Sequence, residues 1–305
     1  MPAKHVIVAI DGWVKYPTFE GFDYDFRQYD RTSPDDLPGR IADATIVCTS
    51  ATPVTREGIL NAPNLKLVAC NGTGTDFVDK VALQQMGAAL CHVPAQNTDS
   101  VSEHAFALCY ALRRHIMPLH QLTMEAQVWS AIRAPQAEIP RPPRTNAEET
   151  LVVVGYGALG KNVERIAKAL GMRVLIAERK DATTCREGRT NFYEALKQGT
   201  VFIVVAPLDA STKNMVSDAE LATMNPTAFI VNVGRGGIIN EAALAKALKN
   251  GQLAGGELDP TIPNLVLSPH IAWYSSKTLK GTFAMMKANI EVRCPGQDLT
   301  LGVGT

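Results

Sequence analysis

The stretch Gly155-Tyr156-Gly157-Ala158-Leu159-Gly160 comes straight after the apolar run Leu151-Val152-Val153-Val154 and opens a helix-patterned segment. That order leaves few folds open. The apolar run reads as a buried strand, and Leu159, Val163, Ile166, Ala167 and Leu170 recur on one helical face until Gly171 stops them. In such a strand-turn-helix unit the first glycine allows a tight turn, the second lets backbone approach a pyrophosphate, and the third lets helix and strand pack closely. The helix amino end would carry the phosphates of a dinucleotide. The plain alternative is a glycine turn with no ligand.

Met172-Arg173-Val174-Leu175-Ile176-Ala177 then leads to Glu178, eighteen residues after Gly160. A carboxylate at the end of this strand accepts hydrogen bonds from both ribose hydroxyls and repels the extra phosphate of NADP, which favours NAD. Arg179 and Lys180 pull the other way, because cations there could bind a 2′-phosphate if Glu178 turned aside. NAD is therefore the expected cofactor, with NADP left open.

At 305 residues the chain exceeds one usual core and is expected to form two domains. Thirty basic and thirty acidic residues cancel, without dense runs of either sign, which argues against nucleic-acid or anionic-membrane partners. Cys48, Cys70, Cys91, Cys109, Cys185 and Cys294 are scattered without CxxC spacing, so reduced thiols are expected and no metal site. The amino terminus runs straight into the strand-like Val6 to Ile10, with no signal-peptide pattern and no apolar stretch long enough for a bilayer. A soluble, cytoplasmic protein is the expectation.

Short β-branched runs recur at Val6 to Ile10, Thr45 to Cys48, Leu67 to Cys70 and Ala88 to Val93, a first small α/β unit. A long helix over Val101 to His115 could join two domains, and the proline-bearing stretch from Ala134 to Thr150 reads as a surface crossing. From Leu151 strands and helices alternate: Val201 to Ala206, Asp218 to Met224, Phe229 to Val233, then Glu241 to Lys249 capped by Asn240. A further strand is expected from Leu265. Alternation of this kind builds a parallel sheet covered by helices on both faces. The final helix, Lys277 to Val292, is expected to return to the first domain.

Two further segments, Asn232-Val233-Gly234-Arg235-Gly236-Gly237-Ile238-Ile239-Asn240-Glu241-Ala242-Ala243-Leu244 and Ser268-Pro269-His270-Ile271-Ala272-Trp273, closely resemble the D-2-hydroxyacid dehydrogenases when taken with the glycine loop. The resemblance extends to Asn97 to His104 and to Asn71-Gly72-Thr73-Gly74-Thr75-Asp76. Ala272-Trp273 and Glu178-Arg179-Lys180 look most like the glyoxylate, hydroxypyruvate and glycerate dehydrogenase branch. The resemblance implies an α/β fold: a Rossmann-type doubly wound parallel sheet over residues 99–274, plus a smaller flavodoxin-like substrate-binding domain over 1–98 and 275–305. It also implies a homodimer acting on a small 2-keto or 2-hydroxy acid.

On this resemblance Arg235 holds the substrate carboxylate and polarises the neighbouring carbonyl, a task suited to a planar guanidinium. An arginine that merely pins a loop is the bland alternative. His270 would exchange the proton on the substrate oxygen, and an imidazole that titrates near about 6.5 suits both directions. His5, His92, His104, His115 and His120 are read as structural first. The Thr73 and Gly74 amides would grip the carboxylate, the alternative being a plain tight turn. Cofactor contacts are implied for Gly155, Gly157, Ala158, Leu159, Gly160, Glu178, Arg179, Ala206, Pro207, Val233, Gly234 and His270.

One stretch departs from the pattern. Family members usually carry an Asp after the Ala-Gly strand and then a Glu, before a proline, that hydrogen-bonds the catalytic histidine. Here Leu253-Ala254-Gly255-Gly256 is followed by Glu257-Leu258-Asp259-Pro260-Thr261-Ile262-Pro263-Asn264, with neither in recognisable form. Those eight residues are fewer than the dozen or so a parallel crossover needs. Either the deletion is real or the sequence closes over an omitted loop. Omission is expected, and an ordinary peptide link near Gly256 would refute it. A real deletion deprives His270 of its orienting carboxylate, and neither Glu257 nor Glu103 is assigned that role. It would also favour the rival reading, an NAD(H)-sensing binding protein resembling corepressors on the same scaffold.

Overall fold

The computed structural model describes residues 4–124, 141–254 and 265–293. The chain divides into two compact units, Met1–Asn97 with Tyr274–Thr305, and Thr98–Trp273.

In the first unit β1 (His5–Ala9), β2 (Tyr24–Gln28), β3 (Ile46–Thr49), β4 (Leu67–Cys70) and β5 (Ala89–Cys91) form a parallel sheet in the order β2-β1-β3-β4-β5. Alternate side chains face opposite ways, as the strand period requires. Val8, Val47 and Val68 pack against Leu37 and Ile41 of α1 (Leu37–Ile41), Ile59 of α2 (Arg56–Leu60) and Leu83 of α3 (Lys80–Met86). Ile7, Ile46 and Leu67 pack against Met286 and Ile290 of the helix Ser276–Arg293. Burying each such aliphatic side chain contributes about 1.5–3 kcal/mol. Sequence periodicity did not reveal β2. It is an edge strand paired only with β1, half-buried, and its Tyr24-Asp25-Phe26-Arg27-Gln28 lacks the continuous apolar character of strands covered on both faces.

In the second unit α4 (Thr98–Arg113) and α5 (Ile116–Met124) precede β6 (Thr150–Val154), α6 (Ala158–Ala169), β7 (Arg173–Ile176), α7 (Phe192–Gln198), β8 (Val201–Val204), α8 (Asp218–Thr223), β9 (Phe229–Asn232) and α9 (Glu241–Lys249). The parallel order is β7-β6-β8-β9. Leu151, Val153, Ile203 and Val231 face Ala105, Cys109, Val163 and Ala167 of α4 and α6. Val152, Phe202, Val204 and Ile230 face Phe192, Leu196, Leu221 and Leu244 of α7, α8 and α9. The helix expected over Val101 to His115 forms as α4, from Thr98 to Arg113, and His115, at φ +51°, separates it from a further helix, α5. Of the proline-bearing crossing, residues 134–140 lie outside the described residues, while 146–148 form a single 3-10 turn.

The strand expected from Leu265 does not form. Leu265 makes an isolated bridge and residues 266–269 belong to no ladder, so among the described residues this sheet has four strands. The short connection from Glu257 to Asn264 gives the physical reason, since a parallel partner cannot be reached without a longer crossover. Residues 255–264, including the Gly256-Glu257 junction, lie outside the described residues. Ala254 donates its amide to the Ala228 carbonyl at 3.1 Å, at the margin of β9.

Candidate active site

Because all four strands of the second unit run parallel, the residues that follow them gather at one edge, where open α/β sheets bind ligands. Gly155 follows β6 at φ +97°, and a Cβ there would stand 2.6 Å from the Ala206 amide nitrogen beyond β8. A Cβ on Gly234, beyond β9, would stand 2.6 Å from the Ala206 carbonyl oxygen. Three of the expected cofactor residues are thus brought together by backbone contact. Gly160 packs on the Gly155 carbonyl so closely that no side chain fits. Gly157 differs: it is the N-cap of α6, donates no side-chain cap, and a Cβ on it would meet nothing within 4 Å. The first-turn amides at Ala158, Leu159 and Gly160 have no acceptor within the helix, the arrangement that favours an anion at a helix amino end.

Glu178 follows β7 and is buried. Its carboxylate accepts from the Arg179 amide at 2.8 Å, the Arg186 amide at 3.1 Å and Arg186 Nε at 2.8 Å, and pairs with Arg186 Nη2. The Arg186 side chain, with the Arg179 amide behind it, holds this carboxyl well below the usual carboxylate range against the opposing effect of burial. The two cations expected beside it separate. Arg179 is exposed, while Lys180 turns to Glu220 at 2.9 Å and to the Met215 carbonyl at 2.9 Å. Arg186 went unnoticed in the sequence; the signal was there in the basic pair Arg186 and Arg189 bracketing Glu187-Gly188, eight to eleven residues past the acid.

Asn232, the last residue of β9, staples the loop that carries Arg235. Its Nδ2 donates to the Arg235 carbonyl at 2.7 Å and its Oδ1 accepts from the Gly234 amide at 3.0 Å. Val233 still continues the sheet through its amide to the Val204 carbonyl, and Pro207 follows Ala206 past β8. Arg235 itself is half-buried, with one Nη donating to the Gly234 carbonyl at 3.0 Å.

His270 is exposed and adopts φ +55°, a left-handed conformation uncommon outside glycine. Its segment is fixed from both sides by α4. His104 Nε2 and Ser268 Oγ lie 2.7 Å apart, and Ser100 Oγ donates to the Ala272 carbonyl at 2.6 Å. Asn162 of α6 in turn donates to Ser102 Oγ at 3.0 Å, which joins α4 to the helix of the glycine turn. Glu103 is exposed on α4.

In the first unit Thr73 and Gly74 follow β4. The Thr73 hydroxyl donates to the Val93 carbonyl at 2.9 Å, and His92 Nδ1 lies 2.9 Å from the Thr73 carbonyl, so the turn is held to the segment after β5.

Residues 106–272 match the family described as D-isomer specific 2-hydroxyacid dehydrogenase, NAD binding domain. A putative 2-hydroxyacid dehydrogenase of Haemophilus influenzae is 38% identical over 287 residues, covering 88% of this chain and 90% of that protein. Glycerate dehydrogenase of Methylorubrum extorquens is 30% identical over 292 residues, covering 90% and 91%. Among solved structures, a glyoxylate reductase from Paecilomyes thermophila shares the fold with a TM-score of 0.78 at 24% identity, covering 95% of each chain. The match over more than half the chain, with relatives of this similarity along most of its length, establishes that the protein belongs to the D-isomer-specific 2-hydroxyacid dehydrogenase family.

Proposed function

We propose that the protein reduces a small 2-keto acid of the glyoxylate or hydroxypyruvate type to its 2-hydroxy acid, and runs the reverse reaction on D-glycerate, with NAD preferred to NADP. The observation that carries this is the gathering of the glycine turn, Glu178 and the Arg235 loop at one edge of a parallel sheet. The second unit holds the cofactor, with the α6 amino end on the pyrophosphate and Glu178 on the adenine ribose. The family resemblance assigns the substrate carboxylate to the Thr73 and Gly74 amides as well. When bound, the nicotinamide supplies or takes up hydride at the substrate's C2. Arg235 orients the carboxylate and polarises the carbonyl, and His270 gives its proton to the carbonyl oxygen or removes it in the reverse direction.

Exposed Ile116, Met117 and Met124 on α5 support a homodimer formed through the second unit. Among the described residues no helix is long and apolar enough to cross a membrane, in keeping with a cytoplasmic enzyme. The test follows the reduced-nicotinamide absorbance with glyoxylate and hydroxypyruvate, using NADH and NADPH in turn. Turnover is the expected outcome. Tight NADH binding without turnover of any small keto acid would replace the enzyme by a sensor.

A further inference from the structure

We propose that Arg186 governs the choice between NAD and NADP by competing with the adenine ribose for the Glu178 carboxylate. The inference rests on the reading that Glu178 faces that ribose. A carboxylate offers about four lone-pair sites. Here all are taken, two by the backbone amides of Arg179 and Arg186 and two by the Arg186 guanidinium. Two ribose hydroxyls cannot be accepted as well unless a donor leaves.

The amides are fixed by the loop, and Glu178 by its burial, but the Arg186 side chain is 56% exposed. Arg186 is the donor that can leave, since in water an exposed guanidinium loses little by giving up an ion pair. NAD must therefore displace it. NADP meets it differently: a 2′-phosphate placed beside Glu178 would be repelled by the bare carboxylate, yet the planar fork of Arg186 can turn from carboxylate to phosphate and keep two charge-assisted bonds. Of the neighbouring cations, Arg179 is the one left exposed beside the acid and able to share this role. Lys180 is committed to Glu220, and Arg189 lies over the Tyr156 ring at 4.4 Å. Glu178 and Arg186 thus act as a pair, the acid favouring NAD and the base tolerating NADP.

The test compares Arg186→Gln, Glu178→Gln and the double variant by fluorescence titration of the substrate-free protein with NADH and NADPH, then by the kcat/KM ratio for the two. Arg186→Gln is expected to weaken NADPH about tenfold, the loss of one charge-assisted contact, while NADH stays level or tightens. Glu178→Gln should move the ratio about tenfold in the opposite direction, and the double variant should lose that NADPH gain. Thermal melting checks that the exposed substitution leaves the fold intact, and Arg186→Lys, charged but without the fork, should fall between wild type and Arg186→Gln. If Arg186→Gln weakens both cofactors equally, or leaves their ratio within about twofold while Glu178→Gln shifts it, Arg186 is only a loop staple and the inference fails with the ribose reading intact. If Glu178→Gln leaves the ratio unmoved, the ribose reading itself falls.

Discussion

In the second unit the candidate cofactor residues named from the sequence, His270 apart, sit within a few positions of a strand terminus. Gly155 follows β6, Glu178 follows β7, and their places are set by ladder register and by glycine contacts with the Ala206 backbone. His270 is held in another way. It lies on a segment without a strand, at positive φ, and its anchors reach across 164 and 172 positions of sequence to His104 and Ser100 on α4. Placement of the candidate cofactor residues is therefore a property of local chain geometry, whereas placement of His270 depends on side-chain ties. The two regions should fail differently when perturbed.

The largest effect is expected from His270→Ala, which should lower kcat by about 10²- to 10⁴-fold while the NADH dissociation constant in fluorescence titration holds. Unchanged kcat would move the proton role elsewhere and dissolve the contrast. Next come two glycines that separate fold from binding. Gly155→Ala forces a side chain at φ +97° into the Ala206 backbone, and a loss of about 1–3 kcal/mol should appear as a lower Tm. Gly157→Ala meets open space within the protein, so Tm should hold while NADH binding weakens by about tenfold, as a methyl enters the pyrophosphate space. A further variant, His104→Ala, cuts the long-range tie to Ser268. Kcat should fall by about tenfold, with KM for NADH little changed and the kcat–pH profile displaced as the imidazole loses its fixed setting. A flat response would show that the tie to His104 does not set the imidazole.

The smallest effect concerns pH. Glu178 titrates below an unperturbed Glu at about 4.3, so its pairing stabilises the fold at neutral pH and is lost as pH falls below that value. The Tm deficit of Glu178→Gln should stay constant above about pH 5.5 and shrink as the pH drops through about 4. A deficit that grows on acidification would contradict the sign.

Much of the second unit was legible because strand, glycine turn, helix and acid are contiguous. Asn240 capping α9 is an example: the Ala243 amide finds the Asn240 side chain three residues back, an interaction any reading of local chemistry can supply. The tie between Ser268 and His104 has no such signature, since a serine and a histidine 164 positions apart carry no pattern until the fold brings them together. The same holds for Lys180. As a sequence it is a cation beside an acid, and only the placement of α8 shows that Glu220 and the Met215 carbonyl take it away. The expectation of a strand from Leu265 erred for a related reason: apolar content indicates a buried extended segment, but ladder pairing depends on how the preceding connection is routed.

Four of the protein's thiols, Cys48, Cys70, Cys91 and Cys109, are buried, and burial pushes Cys70 up to about 12 and Cys109 up to about 11. At neutral pH these two stay protonated and unreactive. Cys185 is the exposed thiol among the described residues, and it immediately precedes Arg186. A maleimide dye directed there would place a reporter on the turn beside Glu178, and on the proposed ribose role of that acid its emission would follow cofactor arrival in real time without any catalytic event.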